Sequence, residues 1–386
     1  MKLLLRALVI FVLFPGEALL ADDLVDANRL FDYAEQNYGK FFSPAGQQTQ
    51  TLQGYLVRYY PVTNTYLGTR AGSVYVFGQQ FGVGIIRVGF MDTFINPGST
   101  VTDLTDLLLS RRSSNCADYA GGYSSGVKDL ARNLSFTGTL AISVTNGTCT
   151  FASNDIPNHS MGQGGAFATP VSAQNSTFKM TTTPAFATQT TALSLSWNSA
   201  VLLNGVRVDM LAAACYGVGD GKIGCNNDSQ PWRYDPMYAG NKFGTDIHNA
   251  HTQPDGSYHY HGNPKALFDL TNASESPVVG FAADGFPVFG SWFRDSSGSI
   301  RSAHPGYRLK SGSRPGGSGN PGGSYDGTYR DDYEFVSGFG DLDVCNGMTV
   351  SGTYGYYITD GFPYMTNCFR GTPDSSFRKG GGGPPP

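Results

Sequence analysis

The chain has 386 residues, enough for two or three domains and a sizeable core. Only 15% of residues are charged, the net charge is −4 and no basic patch stands out, which argues against a nucleic-acid partner. Glycine (51) and aromatics (13%) are abundant while Lys and Glu are scarce, a balance that favours β-structure joined by long turns.

Residues 1–21 have the layout of a signal peptide. Lys2 and Arg6 give a positive start, Ala7–Phe14 is an apolar run, Pro15-Gly16 breaks it, and Ala21 precedes the expected cleavage point. The apolar run is too short to span a bilayer, and no later segment reaches spanning length. The expected location is therefore secreted or periplasmic.

Residues 22–97 read as a small α+β module. Ala27, Leu30, Phe31, Ala34 and Tyr38 approximate one helical face. Strand candidates follow at 55–60, 65–69, 73–77 and 85–88, separated by turn signals. Tyr55, Tyr59, Tyr60, Tyr66, Tyr75 and Phe77 could form a glycan-binding face, although such residues more often fill a small core. Residues 98–115 read as a linker, with a helical turn or two at 103–109 and a solvated Arg111-Arg112.

The main domain is expected to be mainly β, sandwich-like or irregular, beginning near Cys116. Alternating apolar residues mark strands at 140–144, 148–151, 177–181, 193–197 and 201–208, the last folded at Asn204-Gly205. Asp209–Ala214 is the best local helix candidate. Gly217–Asp228 carries Asp220, Asn226, Asn227 and Asp228, but lacks the spacing and closing Glu of a calcium loop and reads as a turn. Six cysteines, Cys116, Cys149, Cys215, Cys225, Cys345 and Cys368, favour disulfides in an exported chain. Fifteen connectivities are available, and sequence proximity favours 116–149, 215–225 and 345–368. Residues 311–325 read as a flexible Gly/Pro/Ser loop, and 372–386 as a low-complexity tail.

Asp246–Gly262, DIHNAHTQPDGSYHYHG, holds four of the six histidines. Histidine is the commonest metal ligand and the usual acid or base near neutral pH. His259 and His261 share one face of a strand, with Tyr258 and Tyr260 on the other. A two-residue loop, Pro254-Asp255, would pair His251 with Tyr258. A three-residue loop closed by Gly256 would pair His251 with His259 and Asn249 with His261. The second is preferred, because Pro cannot take the positive φ of the primed turns. His251, His259 and His261 then line one face as a metal site, with Asp246 and Asn249 as supporting residues and His248 turned away. His304 is a weaker candidate in a loop.

Asp343–Tyr357, DVCNGMTVSGTYGYY, echoes this hairpin. Met348 falls at the place of His251, Gly355 at that of His259 and Tyr357 at that of His261, so ligand chemistry is expected in the first copy alone. Asp360-Gly361-Phe362-Pro363 likewise echoes Asp284-Gly285-Phe286-Pro287.

YHYH followed by Gly-Asn-Pro and preceded by NAHTQPDGS resembles the secreted YHYH-domain proteins. The resemblance extends upstream through Ile156-Pro157-Asn158-His159 and Leu203-Asn204-Gly205-Val206. Downstream it takes in GFAADGFP at 280–287 and LDVCNG at 342–347, covering 116–371 in all. It implies that His159 and Asp284 join the hairpin histidines at one site. Members of the family can also carry histidines in the second hairpin, from which this chain departs.

The expected function is that of an exported protein binding a divalent transition metal, Zn or Cu, with hydrolase or oxidoreductase chemistry. A hydrolase or lyase without metal, pairing a histidine base with Asp284, lacks a framed serine nucleophile. The third reading is a non-catalytic exterior module with packed histidines and a small-molecule or glycan ligand.

Overall fold

Strands follow from the alternating stretches, and among the described residues strand far outweighs helix. The computed structural model describes residues 27–28, 30–32, 34–36, 39–40, 42–52, 55–70, 73–78, 86–90, 101–271 and 274–379. Residues 1–21, expected to be a signal peptide, and residues 380–386 of the expected tail lie outside these residues. The chain divides into two compact units, Met1–Asp103 and Leu104–Pro386.

In the first unit the helical residues between 27 and 36 bury Ala27, Leu30, Phe31 and Ala34 against Phe42, Leu56, Tyr60, Leu67 and Val74. Strands Gln48–Leu52, Tyr55–Tyr60, Thr65–Arg70, Ser73–Gly78 and Ile86–Phe90 pair antiparallel in chain order. Of the aromatics considered for a glycan face, Tyr60 is core, and Tyr59 stacks on Tyr66 at 4.4 Å. The side chains of Tyr55, Tyr75 and Phe77 lie outside the described residues.

The second unit opens earlier than Cys116. Leu104 N–H donates to Ser124 O (2.7 Å), Leu109 N–H to Leu267 O (2.8 Å), and Arg111 O accepts from Val278 N–H (3.0 Å). Residues read as linker are thus built into this unit, and 103–109 forms no helix. Arg111 and Arg112 are exposed, as expected, and Arg112 also reaches Glu275 at 3.1 Å. Gly121–Asp129, Leu134–Thr145, Thr148–Ser153 and Ser176–Thr181 pair antiparallel in chain order. The first of these was illegible because its Gly and Ser residues carry little β-signal. Phe151 from this sheet meets Phe281 of the next edge-on at 6.1 Å, within one core. Disulfides join Cys116–Cys149, Cys215–Cys225 and Cys345–Cys368.

The larger sheet has eight strands in the order Ala250–Thr252, Tyr258–Tyr260, Arg207–Val208, Ala200–Leu202, Val278–Ala282, Pro287–Phe289, Thr353–Tyr357, Gly347–Val350. This order is a palindrome about its centre. There Ala200 pairs with Ala282, Val201 with Phe281 and Leu202 with Gly280. Moving outward in either half, a tight turn (Asn204-Gly205 or Asp284-Gly285) leads to a strand that runs parallel to the second strand of an edge hairpin. Gly205 and Gly285 sit at φ +84° and +86°, conformations that L side chains resist. Each glycine N–H donates at 2.9 Å, to Leu202 O and Ala282 O respectively.

The two hairpins match in detail. His251 lies opposite His259, and Met348 opposite Gly355. Asn249 and Asn346 both take positive φ, +61° and +70°. Their carbonyls accept from His261 N–H (2.9 Å) and Tyr357 N–H (3.1 Å). The echo between hairpins is therefore structural. The second echo is not: Asp284-Gly285 corresponds in space to Asn204-Gly205, and 360–363 forms no strand.

Asp209–Ala214 forms no helix. Its main-chain groups are engaged elsewhere, with Asp209 N–H on Tyr260 O (2.9 Å) and Ala214 O accepting from Tyr234 N–H (3.0 Å). The 311–325 loop is pinned by Arg314, which donates to Asp332 Oδ1 (2.7 Å). Asp220 closes its own turn through the N–H groups of Lys222 (2.8 Å) and Ile223 (3.0 Å), as a plain loop does.

Candidate metal centre

The chemistry of the turn decides the geometry of the site. Gly256, at φ +82°, donates to Gln253 O (2.9 Å), and Gln253 N–H donates to Ser257 O (3.0 Å). This closes the three-residue loop over Pro254-Asp255-Gly256 and sets His251 against His259. His259 and His261, two apart on one strand, face the same way.

The three rings converge through their Nε2 atoms. His259 Nε2 lies 3.0 Å from His261 Nε2, which lies 3.1 Å from His251 Nε2. Among the described residues, these three form the group of candidate ligand atoms lying within 4.8 Å of one another. Tetrahedral coordination with bonds of about 2.0–2.1 Å sets donor nitrogens roughly 3.3 Å apart. The observed spacing is close to that value.

The outer nitrogens fix which way the lone pairs point. His251 Nδ1–H donates to Phe243 O (2.6 Å), and His259 Nδ1 lies 3.3 Å from Ser257 O. A main-chain carbonyl only accepts, so each Nδ1 carries the proton and each Nε2 presents its lone pair to the centre. Burial, first, and the neighbouring rings push His259 and His261 well below the usual histidine range; burial lowers His251 as well. The rings are thus neutral near pH 7, the form that ligates metal. His259 is fully buried and His261 nearly so, while His251 forms the half-buried edge.

The other candidates stand elsewhere. His159 is on the tyrosine face of the strand. Its Nδ1–H donates to Ser160 O (3.0 Å), and its Nε2 accepts from Tyr260 Oη (2.6 Å). Its ring lies 4.0 Å from that of His248, and burial, helped by His248, lowers it to about 3. Asp284 belongs to the other half of the sheet, accepting from Tyr356 Oη (2.6 Å) and Gly371 N–H (2.9 Å). The expectation that His159 and Asp284 join the triad is therefore corrected: hydroxyls of equivalent tyrosines hold them apart from it. Those same bonds remove Asp284 as partner to a histidine base.

Asp246 also serves the tyrosine face, not a triad ring. It accepts from Tyr258 Oη (3.0 Å), Gly162 N–H (3.2 Å) and His248 N–H (2.9 Å). Asn249 acts through its backbone, as the left-handed residue that aligns His261, and its Nδ2 donates to Asn263 O (2.9 Å). His304 lies outside the group, its N–H on Asp341 (2.9 Å).

Three neighbours of the triad were not singled out as site residues from sequence. Gln253 Nε2 lies 3.4 Å from His259 Nε2 and donates to Asp209 Oδ2 (3.3 Å). Lys379 Nζ pairs with the same Asp209 oxygen. Asp209 arrives because Arg207 and Val208 run parallel to His259 and Tyr260. Lys379, within the expected low-complexity tail 372–386, is anchored by its N–H on Ser196 O (2.8 Å) beside the fully buried Phe377.

The second hairpin has no counterpart of this set. Phe289 stands where Asp209 does, and its ring stacks on Tyr357 at 5.2 Å. A Cβ on Gly355 would lie 2.5 Å from that ring. The space is filled with aromatic carbon.

A family profile described as YHYH protein matches residues 177–371, just over half of the chain. The match takes in both hairpins and the triad, and begins after His159. No curated protein matches the chain, and neither does any solved structure. No described helix is long and apolar enough to cross a membrane.

Proposed function

The chain belongs to the YHYH protein family, and on that premise we propose that it is a metal-binding protein in which His251, His259 and His261 hold one divalent transition ion, Zn or Cu. The observation that carries this reading is the convergence of the Nε2 atoms of three neutral imidazoles at 3.0 and 3.1 Å, with the outer nitrogens of His251 and His259 tied to carbonyls. The Nε2 lone pairs of His251 and His259 both face His261 Nε2, and one shared cation satisfies all three nitrogens at once.

Three protein ligands leave a coordination position for water or substrate, the arrangement of catalytic rather than structural zinc sites. Such an ion supplies a water acidic enough to act as a nucleophile near neutral pH, or, as copper, a redox centre. Hydrolysis follows from zinc and oxidation from copper. The chain's own part is to fix the rings and exclude solvent from His259. The three disulfides fit an oxidising compartment, in keeping with export directed by residues 1–21.

Elemental analysis of the purified full chain tests the reading. One ion per chain, lost in both His259→Ala and His261→Ala, is the expected result. A folded wild-type protein that takes up neither zinc nor copper overturns it.

A further inference from the structure

The triad, Asp209 and Lys379 together form a charge arrangement whose sum can be read from the contacts. All three ligands are neutral, so a bound ion keeps its whole charge. Asp209 and Asp246 both bear on His251; Asp246 is taken up by Tyr258 Oη, Gly162 N–H and His248 N–H on the other face, and the charge of Asp209 is engaged as well. Asp209 Oδ2 receives the Lys379 ammonium and the Gln253 amide, and its Oδ1 accepts from Leu211 N–H at 3.4 Å. No oxygen of Asp209 falls within the 4.8 Å group. Lys379 and Arg330 are both close enough to act on His261 as positive charges. Arg330 is held in place by Met210 O (3.3 Å) and Asn367.

A divalent ion here would be surrounded by uncharged nitrogens, with the Asp209–Lys379 pair, which sums to zero, beside it and Arg330 nearby facing Asp235 and Asp331. In a buried setting such an excess is costly, because low dielectric strengthens every unscreened charge. An anion at the remaining coordination position offsets it. We infer that the loaded triad binds a small monovalent anion directly on the ion, with Lys379 supplying the counter-charge that keeps Asp209 from taking its place. His251, the half-buried member, marks the side from which the anion enters. The ligand or substrate of this protein is accordingly anionic at the atom that meets the metal. This inference rests on the metal-binding reading above.

The test uses the full chain loaded with copper(II) and titrated with azide, whose charge-transfer absorption reports binding to the ion itself. Wild type should bind one azide. Lys379→Met should weaken azide by about tenfold, since Asp209 is then free to neutralise the ion, and Lys379→Arg should restore affinity. Asp209→Asn should tighten azide by a similar factor; tenfold corresponds to ~1.4 kcal/mol. Opposite signs for the two variants separate a charge role from general damage to the fold. Copper-loaded wild type that shows no azide band, or variants that both match wild type, would overturn the inference while leaving the triad reading intact. Failure to load copper or zinc at all would instead remove the triad reading.

Discussion

Tyr260 and Tyr356 are counterparts: each buries its hydroxyl against the turn that opens its own half of the eight-stranded sheet. Tyr260 Oη accepts from Asn204 Nδ2 at 3.0 Å, and Tyr356 Oη donates to Asp284 Oδ2 at 2.6 Å. The same scaffold thus appears twice, and the halves differ in what lies on the opposite face of the hairpin. One face carries three imidazoles; the other carries Met348, Gly355 and Tyr357.

The two faces of the first hairpin should respond independently to substitution. Tyr260→Phe keeps the ring but leaves His159 Nε2 and Asn204 Nδ2 without their shared hydroxyl. The expected loss is ~1–3 kcal/mol of stability, measured by urea unfolding of metal-free protein. Metal content of the folded variant should stay at the wild-type level.

The second hairpin should reject any side chain at Gly355. Its Cβ would meet Phe289 Cε2 at 2.5 Å and Pro287 O at 2.9 Å. Gly355→Ala is expected to cost ~1–3 kcal/mol by overpacking. Phe289→Ala alone leaves a cavity, yet in the double variant the Gly355 cost should fall to what the Pro287 carbonyl contact imposes, because the two side chains share one space. A double-mutant cycle by denaturant unfolding measures this coupling; additive costs would contradict it.

Acid should weaken the fold partly through His159. Burial, and then His248, lower it to about 3, against about 6.5 when unfolded. Below pH 6.5 the unfolded chain takes up a proton that the folded chain refuses. The stability this ring contributes is therefore complete above 6.5 and is lost as pH falls toward 3. Asp235, raised to about 6 by burial, runs the other way, and its contribution is lost as pH rises from 3.8 to about 6. Comparing wild type with His159→Gln isolates the first effect. Wild type should lose more stability than the variant between pH 6.5 and 4.5, and parallel curves would contradict the assignment.

The local parts of this site were legible because they depend on local chemistry. Pro254-Asp255-Gly256 admits one favoured loop, and that loop fixes the register of His251, His259 and His261. The disulfides followed sequence proximity. What stayed hidden depends on long-range pairing. The parallel run of Arg207–Val208 beside the hairpin brings in Asp209, and Lys379 meets it 170 residues away in sequence. No spacing rule signals either contact. His159 and Asp284 were drawn to the triad by resemblance, and the tyrosine hydroxyls between them and the triad could not be seen in a linear pattern.

Absorption-edge spectroscopy of the zinc-loaded full chain examines the ion's surroundings directly. Three imidazole nitrogens at about 2.0–2.1 Å and one exogenous oxygen or nitrogen ligand are expected, with fewer imidazoles in His251→Ala. A first shell made of carboxylate and water oxygens, unchanged in that variant, would contradict it.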